Sequence, residues 1–378
     1  MQILQVLPHL SKGGAERVVI ELSNELVAVG HNVTLLLAYP VNPILNQQYL
    51  DERVKVDFVL TEPGKRILQY LKLPFWVAKN WRVLRTYEVI HCHLTYGLVF
   101  GFLTSFARRF NQPNQVRLIA TCHMVGVGVS RSNRFLNRRF SYFFDVFVLM
   151  AQDKYWREFR YSKKRKNIHI VPNGISAEKK APKSKADQDK LTRTSGNEIK
   201  AYAIGTISRL QAERKPWLFL EIFSRVQELM NGDHVRFILG GEGAERDALT
   251  KQSQRLGLVE TLSMPGLVQD PKEVLEKLDL YIGLNVEGIT GIAGLEAVFA
   301  GVPVVSIQLA QNYGNGANDW IWSDEDPLAV ARKIVDYLKS PNQLAIIAGE
   351  QYKLATENFS VELMRENYLD LYKIDRNI

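Results

Sequence analysis

The chain has 378 residues, 46% of them hydrophobic and 23% charged, a balance that excludes wholesale disorder. At roughly 150 residues per domain, that length calls for two cores rather than one. The net charge of +8 favours an anionic partner such as nucleotide phosphates or an anionic membrane surface. Nucleic acid is not expected, because the positive charge is scattered and no recognised binding module is visible.

Gln2–Leu7 reads as a short buried strand, followed by a Ser/Lys/Gly-rich loop and a helix from about Ala15 to Val29 with Val18, Val19, Leu22 and Leu26 on one face. Gly30 ends it, and a second strand covers Asn32–Ala38. Strand, helix, strand with short links is the unit of a parallel sheet. Val89–His93, Arg117–Cys122, Val146–Met150 and Asn167–Val171 continue the strand series, and Arg131–Phe144 is drawn as an amphipathic helix. Pro172-Asn173-Gly174 is a turn signal, and the polar, Lys-rich stretch that follows reads as a linker with an exposed loop, 173–199.

A second alternation then begins, with strands at Ala201–Ile207, Val235–Gly240, Leu262–Met264, Leu278–Leu284 and Val302–Ile307. Helices are expected at Pro216–Met230, Glu245–Leu256, Pro271–Glu276, Gly294–Phe299 and Val361–Lys373, the last capped by Ser360. The expected fold is α/β: a doubly wound, Rossmann-like domain over 1–172, another over 200–360, and a cleft between them. Cys92 and Cys122 are too few for a disulfide framework or a zinc cluster and read as small core residues. No window approaches the roughly 18 consecutive apolar residues of a membrane span. The start of the chain lacks a signal-peptide pattern, so a cytoplasmic location is expected.

Four segments carry chemistry. Glu287-Gly288-Ile289-Thr290-Gly291-Ile292-Ala293-Gly294-Leu295-Glu296 follows a strand and opens a helix. Its glycines allow a ligand close to the backbone, and the helix amides suit a diphosphate. Glu287 and Glu296 suit sugar hydroxyls as hydrogen-bond acceptors. The bland alternative is a Gly-rich turn with a favourable charge near a helix start. Arg209 and Lys215, in the loop after the strand ending at Ile207, are cations fit for a departing nucleoside diphosphate, or simply a solvated basic loop. Gly13 and Gly14 lie in a Gly loop without the dinucleotide fingerprint. His91, His93 and His123 sit at strand ends, where polar contacts are the expectation and a metal is not.

In order and spacing, these pieces resemble the retaining GT-B glycosyltransferases of family four over nearly the whole chain. The matching runs are Gly13-Gly14-Ala15-Glu16-Arg17, Val89-Ile90-His91-Cys92-His93, Thr121-Cys122-His123, Val171-Pro172-Asn173-Gly174-Ile175, Gly241-Glu242-Gly243, Gly266 and Ala300-Gly301-Val302-Pro303. The resemblance implies that Glu287 binds the donor hexose and Glu296 the ribose. Arg209 and Lys215 would grip the diphosphate, with Gly13, Gly14, Gly241, Gly243, Gly266, Gly291 and Gly294 lining the donor. His123 would face the transferred sugar and take part in catalysis, and the helix 361–378 would pack back on the N-terminal domain. Eight residues separate Glu287 from Glu296, one more than the family's usual pattern, and Ala151 stands where a serine is common.

The function implied is transfer of a hexose from a nucleotide sugar, UDP- ahead of GDP-linked, to a glycan or lipid-linked acceptor. Its setting would be assembly of a bacterial surface polysaccharide, as in lipopolysaccharide or capsule. No cofactor is expected, because neither Asp187-Gln188-Asp189 nor Asp324-Glu325-Asp326 stands where a metal would be needed. Arg131, Arg134, Arg138 and Arg139 suggest a peripheral contact with the inner face of the plasma membrane. Rival readings are a nucleotide-sugar epimerase of the same fold, a non-catalytic nucleotide-sugar-binding protein, and an oxidoreductase, whose fingerprint is absent.

Overall fold

The computed structural model describes residues 1–10, 13–40, 49–62, 66–110, 116–123, 131–150, 167–176, 201–231, 235–286, 289–308, 321–323 and 326–373. The chain divides into two units, Met1–Ser176 with Ser360–Ile378, and Ala177–Phe359.

The first unit is built on a parallel sheet in the order β3-β2-β1-β4-β5-β6-β7, with β1 Gln2–Leu7, β2 Asn32–Leu37, β3 Lys55–Phe58, β4 Val89–His93, β5 Arg117–Cys122, β6 Val146–Leu149 and β7 Ile168–Ile170. The central strands β4, β5 and β6 are buried along their whole length, as strands covered on both faces must be. Helix α1 (Gly14–Ala28) buries Val18, Val19, Leu22 and Leu26. Helices α2 (Arg66–Lys79), α3 (Trp81–Leu84), α4 (Leu94–Phe110) and α5 (Arg131–Phe140) complete the unit. Only α1 and α5 follow from the sequence pattern. Helix α2 contains Pro74 and carries apolar residues on its outer side, and α4 is apolar nearly all round, so neither shows a clean stripe. Helix α4 lies close on the sheet because Gly97 and Gly101 leave room: a Cβ at Gly97 would stand 2.9 Å from the Val6 carbonyl oxygen.

The second unit repeats the plan. Its sheet runs β10-β9-β8-β11-β13-β14, with β8 Tyr202–Ile207, β9 Val235–Gly240, β10 Leu262–Gly266, β11 Leu280–Val286, β13 Val304–Gln308 and β14 Ile321–Ser323, all parallel. A two-residue strand β12, Ile289–Thr290, pairs antiparallel with the end of β11. The helices are α6 (Pro216–Met230), α7 (Arg246–Arg255), α8 (Pro271–Leu275), α9 (Ile292–Phe299), α10 (Pro327–Leu338) and α11 (Pro341–Phe359). Asp326, from the second D-x-D run, caps α10 by accepting from the amides of Leu328 and Ala329, both at 3.2 Å. The first D-x-D run lies outside the described residues.

The last helix, α12 (Val361–Lys373), returns to the first unit. Ser360 caps it, its Oγ accepting from the Leu363 amide at 3.3 Å. Arg365 bonds Glu25 of α1 at 2.7 Å, and Val361, Met364, Tyr368, Leu371 and Tyr372 are buried. The boundary between the units falls after Ser176, not before Asn173 as the turn signal suggests. Ile175 forms a bridge with Ser360, and the Gly174 amide donates to the Met364 sulfur at 3.1 Å. These contacts hold 173–176 to the first unit.

Candidate functional site

Both sheets reverse their strand order at the centre, between β1 and β4 in the first unit and between β8 and β11 in the second. In doubly wound sheets, ligands bind outside the carboxyl ends of the strands at that reversal. The loops there carry most of the residues that sequence reasoning singles out. Gly13 and Gly14 follow β1, Arg209 and Lys215 follow β8, and Gly291, Gly294 and Glu296 follow β11. One strand further out are His123 after β5 and Gly241 and Gly243 after β9, and two strands out is Gly266 at the end of β10. Glu287 lies outside the described residues.

In the second unit the loop after β8 is laid against the loop after β9. The Ser208 amide donates to the Gly240 carbonyl and the Leu210 amide to the Glu242 carbonyl, both at 2.9 Å, while the Glu245 amide returns to the Leu210 carbonyl at 3.0 Å. This approach depends on glycine. A Cβ at Gly241 would overlap the Ser208 carbonyl oxygen, and one at Gly243 the Leu210 carbonyl oxygen. Gly241 also takes φ +138, a conformation closed to other residues at ordinary cost. These two glycines therefore shape the basic loop.

That loop presents an exposed Arg209 and a half-buried Lys215. Lys215 stands in the left-handed conformation, φ 43 and ψ 51, immediately before Pro216 at the first position of α6. A residue preceding proline is disfavoured in the right-handed helical region, and left-handed geometry costs a non-glycine residue roughly 1–2 kcal/mol. Arg214, which sequence reasoning leaves without a role, is pushed below its ordinary pKa by burial and then by the charge of Arg209. Three cations thus crowd one turn, a field that suits an anion.

Across the reversal, α9 starts after Gly291, whose backbone is extended and whose carbonyl accepts from Gly294 and Leu295 at 2.9 and 3.1 Å. The N-cap, Gly291, has no side chain to cap this helix start, so its first amides need partners other than the cap residue. Glu296 is half-buried one turn in. Tyr281 of β11 ties that strand to the end of β8: its hydroxyl donates to the Ile207 carbonyl at 3.1 Å. Burial pushes that hydroxyl up to about 12, and the Glu296 carboxylate adds to the shift. Glu296 is therefore electrostatically close to the strand end from which the basic loop departs. Sequence reasoning missed Tyr281, since nothing local marks a strand tyrosine as a brace.

In the first unit the histidines form a buried polar chain. His93 Nε2 lies 2.6 Å from Gln5 Oε1, and His93 Nδ1 lies 2.9 Å from His123 Nε2. With the Gln5 carbonyl as acceptor, His93 is protonated on Nε2, and His123 Nε2–H then donates to His93 Nδ1. His123 Nδ1 is left as a lone pair with no hydrogen-bond partner among the described residues. Burial lowers the pKa of all three rings, His123 to about 4 and His91 and His93 well below their ordinary value, the neighbouring histidines adding to the effect in the latter two. They are neutral at physiological pH. His91 bonds Thr121 Oγ1 at 2.7 Å and Tyr372 Oη at 2.9 Å, while Tyr368 Oη meets Thr121 at 2.9 Å. Both nitrogens of His91 and of His93 are therefore satisfied within the protein. Leu94, directly after His93, takes φ 59, a left-handed outlier of the kind that collects at ligand sites.

Gly13 supports the other loop of this unit. It precedes α1 in an extended conformation, and a Cβ there would overlap the carboxylate of Glu16, which is itself buried. Among the basic residues of α5, Arg138 and Arg139 are exposed, while the side chains of Arg131 and Arg134 lie outside the described residues. The apolar face of α5 packs inward, with Phe140 and, just beyond the helix, Phe143 against Phe102 of α4 at 5.4 and 4.6 Å between ring centroids.

Comparison with known proteins agrees with this geometry. The profile of Glycosyltransferase Family 4 matches residues 12–179, and that of Glycosyl transferases group 1 matches residues 201–340. Among solved structures, HepE of Anabaena in complex with UDP-glucose superposes with a TM-score of 0.75 at 20% identity, covering 98% of this chain and 99% of that one. The sucrose-phosphate synthase of Thermosynechococcus elongatus gives 0.72 at 15% identity over 99% and 98%. Curated relatives include the Vi polysaccharide biosynthesis protein VipC/TviE of Salmonella typhi, 24% identical over 53% of this chain. Another is the poly(ribitol-phosphate) alpha-N-acetylglucosaminyltransferase of Staphylococcus aureus (strain COL), 23% identical over 45% of this chain. The matches span 35% of the length of each of these two relatives. With both profiles in sequence order and the fold of each unit in place, the chain belongs to the GT-B glycosyltransferases that join a Family 4 N-terminal domain to a group 1 C-terminal domain.

Proposed function

We propose that this chain transfers a hexose from a nucleotide sugar, UDP-linked in preference to GDP-linked, to a glycan or lipid-linked acceptor in the assembly of a bacterial surface polysaccharide. The observation that carries the reading is the pairing, at the reversal of the second sheet, of the Arg209–Lys215 loop with the α9 start and Glu296. The cations and helix amides suit a diphosphate, and the Glu296 carboxylate suits the vicinal hydroxyls of a ribose. HepE, of like fold, is crystallised with UDP-glucose, and two relatives by sequence are a polysaccharide biosynthesis protein and an N-acetylglucosaminyltransferase.

The chemistry proposed is front-side displacement with retention. The bond from the sugar's anomeric carbon to the phosphate oxygen breaks, and the acceptor oxygen bonds to that carbon on the same face. The acceptor's proton passes to the leaving phosphate. Arg209, Lys215 and the α9 amides stabilise the charge growing on that phosphate. His123, neutral and with Nδ1 as its free acceptor, is assigned to a hydroxyl of the transferred sugar, and Glu287 to the donor hexose. No metal is assigned a role.

The test is incubation of the chain with UDP- and GDP-sugars and lipid-linked acceptors in excess chelator. Release of UDP with a product that keeps the donor's anomeric configuration is expected. Binding without turnover would favour a non-catalytic role, and interconversion of the free donor an epimerase. An inverted product, or activity restored only by magnesium or manganese, would overturn retention or metal independence respectively.

A further inference from the structure

The outer surface of the first unit's helical layer has a composition that the proposed donor chemistry does not explain. From Pro63 to Tyr87 the sequence contains no Asp or Glu and six Lys or Arg: Lys65, Arg66, Lys72, Lys79, Arg82 and Arg85. Helix α2 lies in this run. Its inner side is conventional, with Leu73 and Val77 buried in the core of the unit. Its outer side is not: Phe75 is 79% exposed and Leu71 62% exposed, one helical turn apart, so they stand on the same face. Lys72 and Lys79 flank them, and Val83, Arg82 and Arg85 continue the exposed surface through α3. Helix α4 packs between α2 and α5, and the same layer exposes Phe106, Phe135 and Tyr142 together with Arg138 and Arg139.

Large apolar side chains held in water on a folded unit mark a contact surface. The chemistry around them selects the partner. Lysine is depleted where proteins bury one another, whereas here lysines alternate with the exposed apolar tips. A second copy of this face would bring like charges together. An anionic bilayer satisfies both halves: Leu71 and Phe75 enter the acyl boundary, while the long stems of Lys72 and Lys79 reach up to phosphate headgroups. We infer that α2 and α3 form a docking surface for an anionic lipid bilayer, with Leu71 and Phe75 as the inserted residues and Lys72, Lys79, Arg82 and Arg85 as the headgroup contacts. Sequence reasoning places this contact on the arginines of α5. The structure moves its centre to α2, because the apolar face of α5 is already taken by α4. The inference deepens the reading of a lipid-linked acceptor, yet it is tested without any donor or acceptor present.

The experiment is flotation of the full chain with vesicles of phosphatidylcholine alone or mixed with phosphatidylglycerol. The wild type is expected to float with the anionic vesicles only, and less so as salt rises. Leu71→Ser with Phe75→Ser should lower partition more than tenfold, and Lys72→Gln with Lys79→Gln by about tenfold. Arg138→Ser with Arg139→Ser should have the smaller effect. Because all of these positions are exposed, thermal melts should match the wild type. Equal flotation with neutral vesicles, unchanged flotation of the Leu71/Phe75 variant, or a wild-type dimer that this variant dissociates would each overturn the assignment. Failure here with UDP binding intact would leave the donor reading standing.

Discussion

Replacing Tyr372 by Phe removes one oxygen from the centre of the first unit and tests what holds the returning C-terminal helix. That oxygen lies 2.9 Å from His91 Nδ1 and 3.5 Å from the Gln5 side-chain amide, at a buried position. The substitution keeps the ring and its packing but leaves His91 Nδ1 without its partner in a place water does not reach. A buried polar group deprived of its bond costs about 1–3 kcal/mol. The longer Gln5 contact contributes little at that distance. If α12 opens locally, its amides should exchange roughly 5- to 150-fold faster, the factor that 1–3 kcal/mol corresponds to. Hydrogen exchange read by mass spectrometry on peptides covering 361–373 is the assay, with peptides from the second unit as an internal control. Tyr368→Phe should have a smaller effect, since Thr121 keeps its bond to His91. The double variant should depart from additivity, because both tyrosines act on one network. Unchanged exchange in 361–373 for Tyr372→Phe would refute the idea that this network, rather than apolar burial alone, anchors the helix.

Two further outcomes follow from the same physical picture. His91, His93 and His123 have folded pKa values below the unfolded value near 6.5. Above about pH 6.5 both states hold them neutral and stability is complete. As pH falls below that, the unfolded chain binds protons that the folded chain refuses, and stability drops by up to ~1.4 kcal/mol per pH unit for each ring. The loss should continue for His123 down to about 4. Thermal melts of the first unit from neutral pH to about pH 5 should show this decline, and a flat profile would contradict it. Gly241→Ala should lower the stability of the second unit and weaken nucleotide binding together, since the new methyl meets the Ser208 carbonyl at φ +138. Gly257→Ala, at φ +67 with open space around it, should cost only about 1–2 kcal/mol and leave binding unchanged. Equal behaviour of the two variants, by melting and calorimetry, would count against the loop-docking role of Gly241.

Much of the fold was legible because parallel strands buried on both faces write themselves as short apolar runs. The sequence reading places β1, β4, β5 and β9 at their observed bounds, and α6 and α12 likewise. Several unread elements lack a local stripe; α10 is the exception, since Val330, Ala331, Ile334, Val335 and Leu338 line one buried face that the sequence reading passed over. Helix α4 is apolar on nearly every side, α2 turns Leu71 and Phe75 outward around Pro74, and α11 buries only Ala348, Gln351 and Ala355. Strand β3 alternates exposed and half-buried residues but is only four residues long, with none fully buried, and β12 is two residues long.

For the site, loop chemistry pointed to Arg209, Lys215 and Glu296, because glycines and charges beside a strand end are local signals. Tyr281, Arg214 and the Gln5–His93–His123 chain were not legible. Their roles arise only when strands distant in sequence become neighbours: Gln5 and His93 are 88 residues apart, and His91 and Tyr372 are 281 apart.

The central claim is a nucleotide-diphosphate site built by the basic loop after β8 and the start of α9. Calorimetric titration of UDP into the full chain and into an Arg209→Ala, Lys215→Ala variant tests it most directly. Charge-assisted bonds are worth about 1.5–3 kcal/mol each, so the variant should bind UDP at least tenfold more weakly. The wild type should bind UDP saturably and more tightly than GDP. Absence of UDP binding by the wild type, or equal affinity in the variant, would contradict the account.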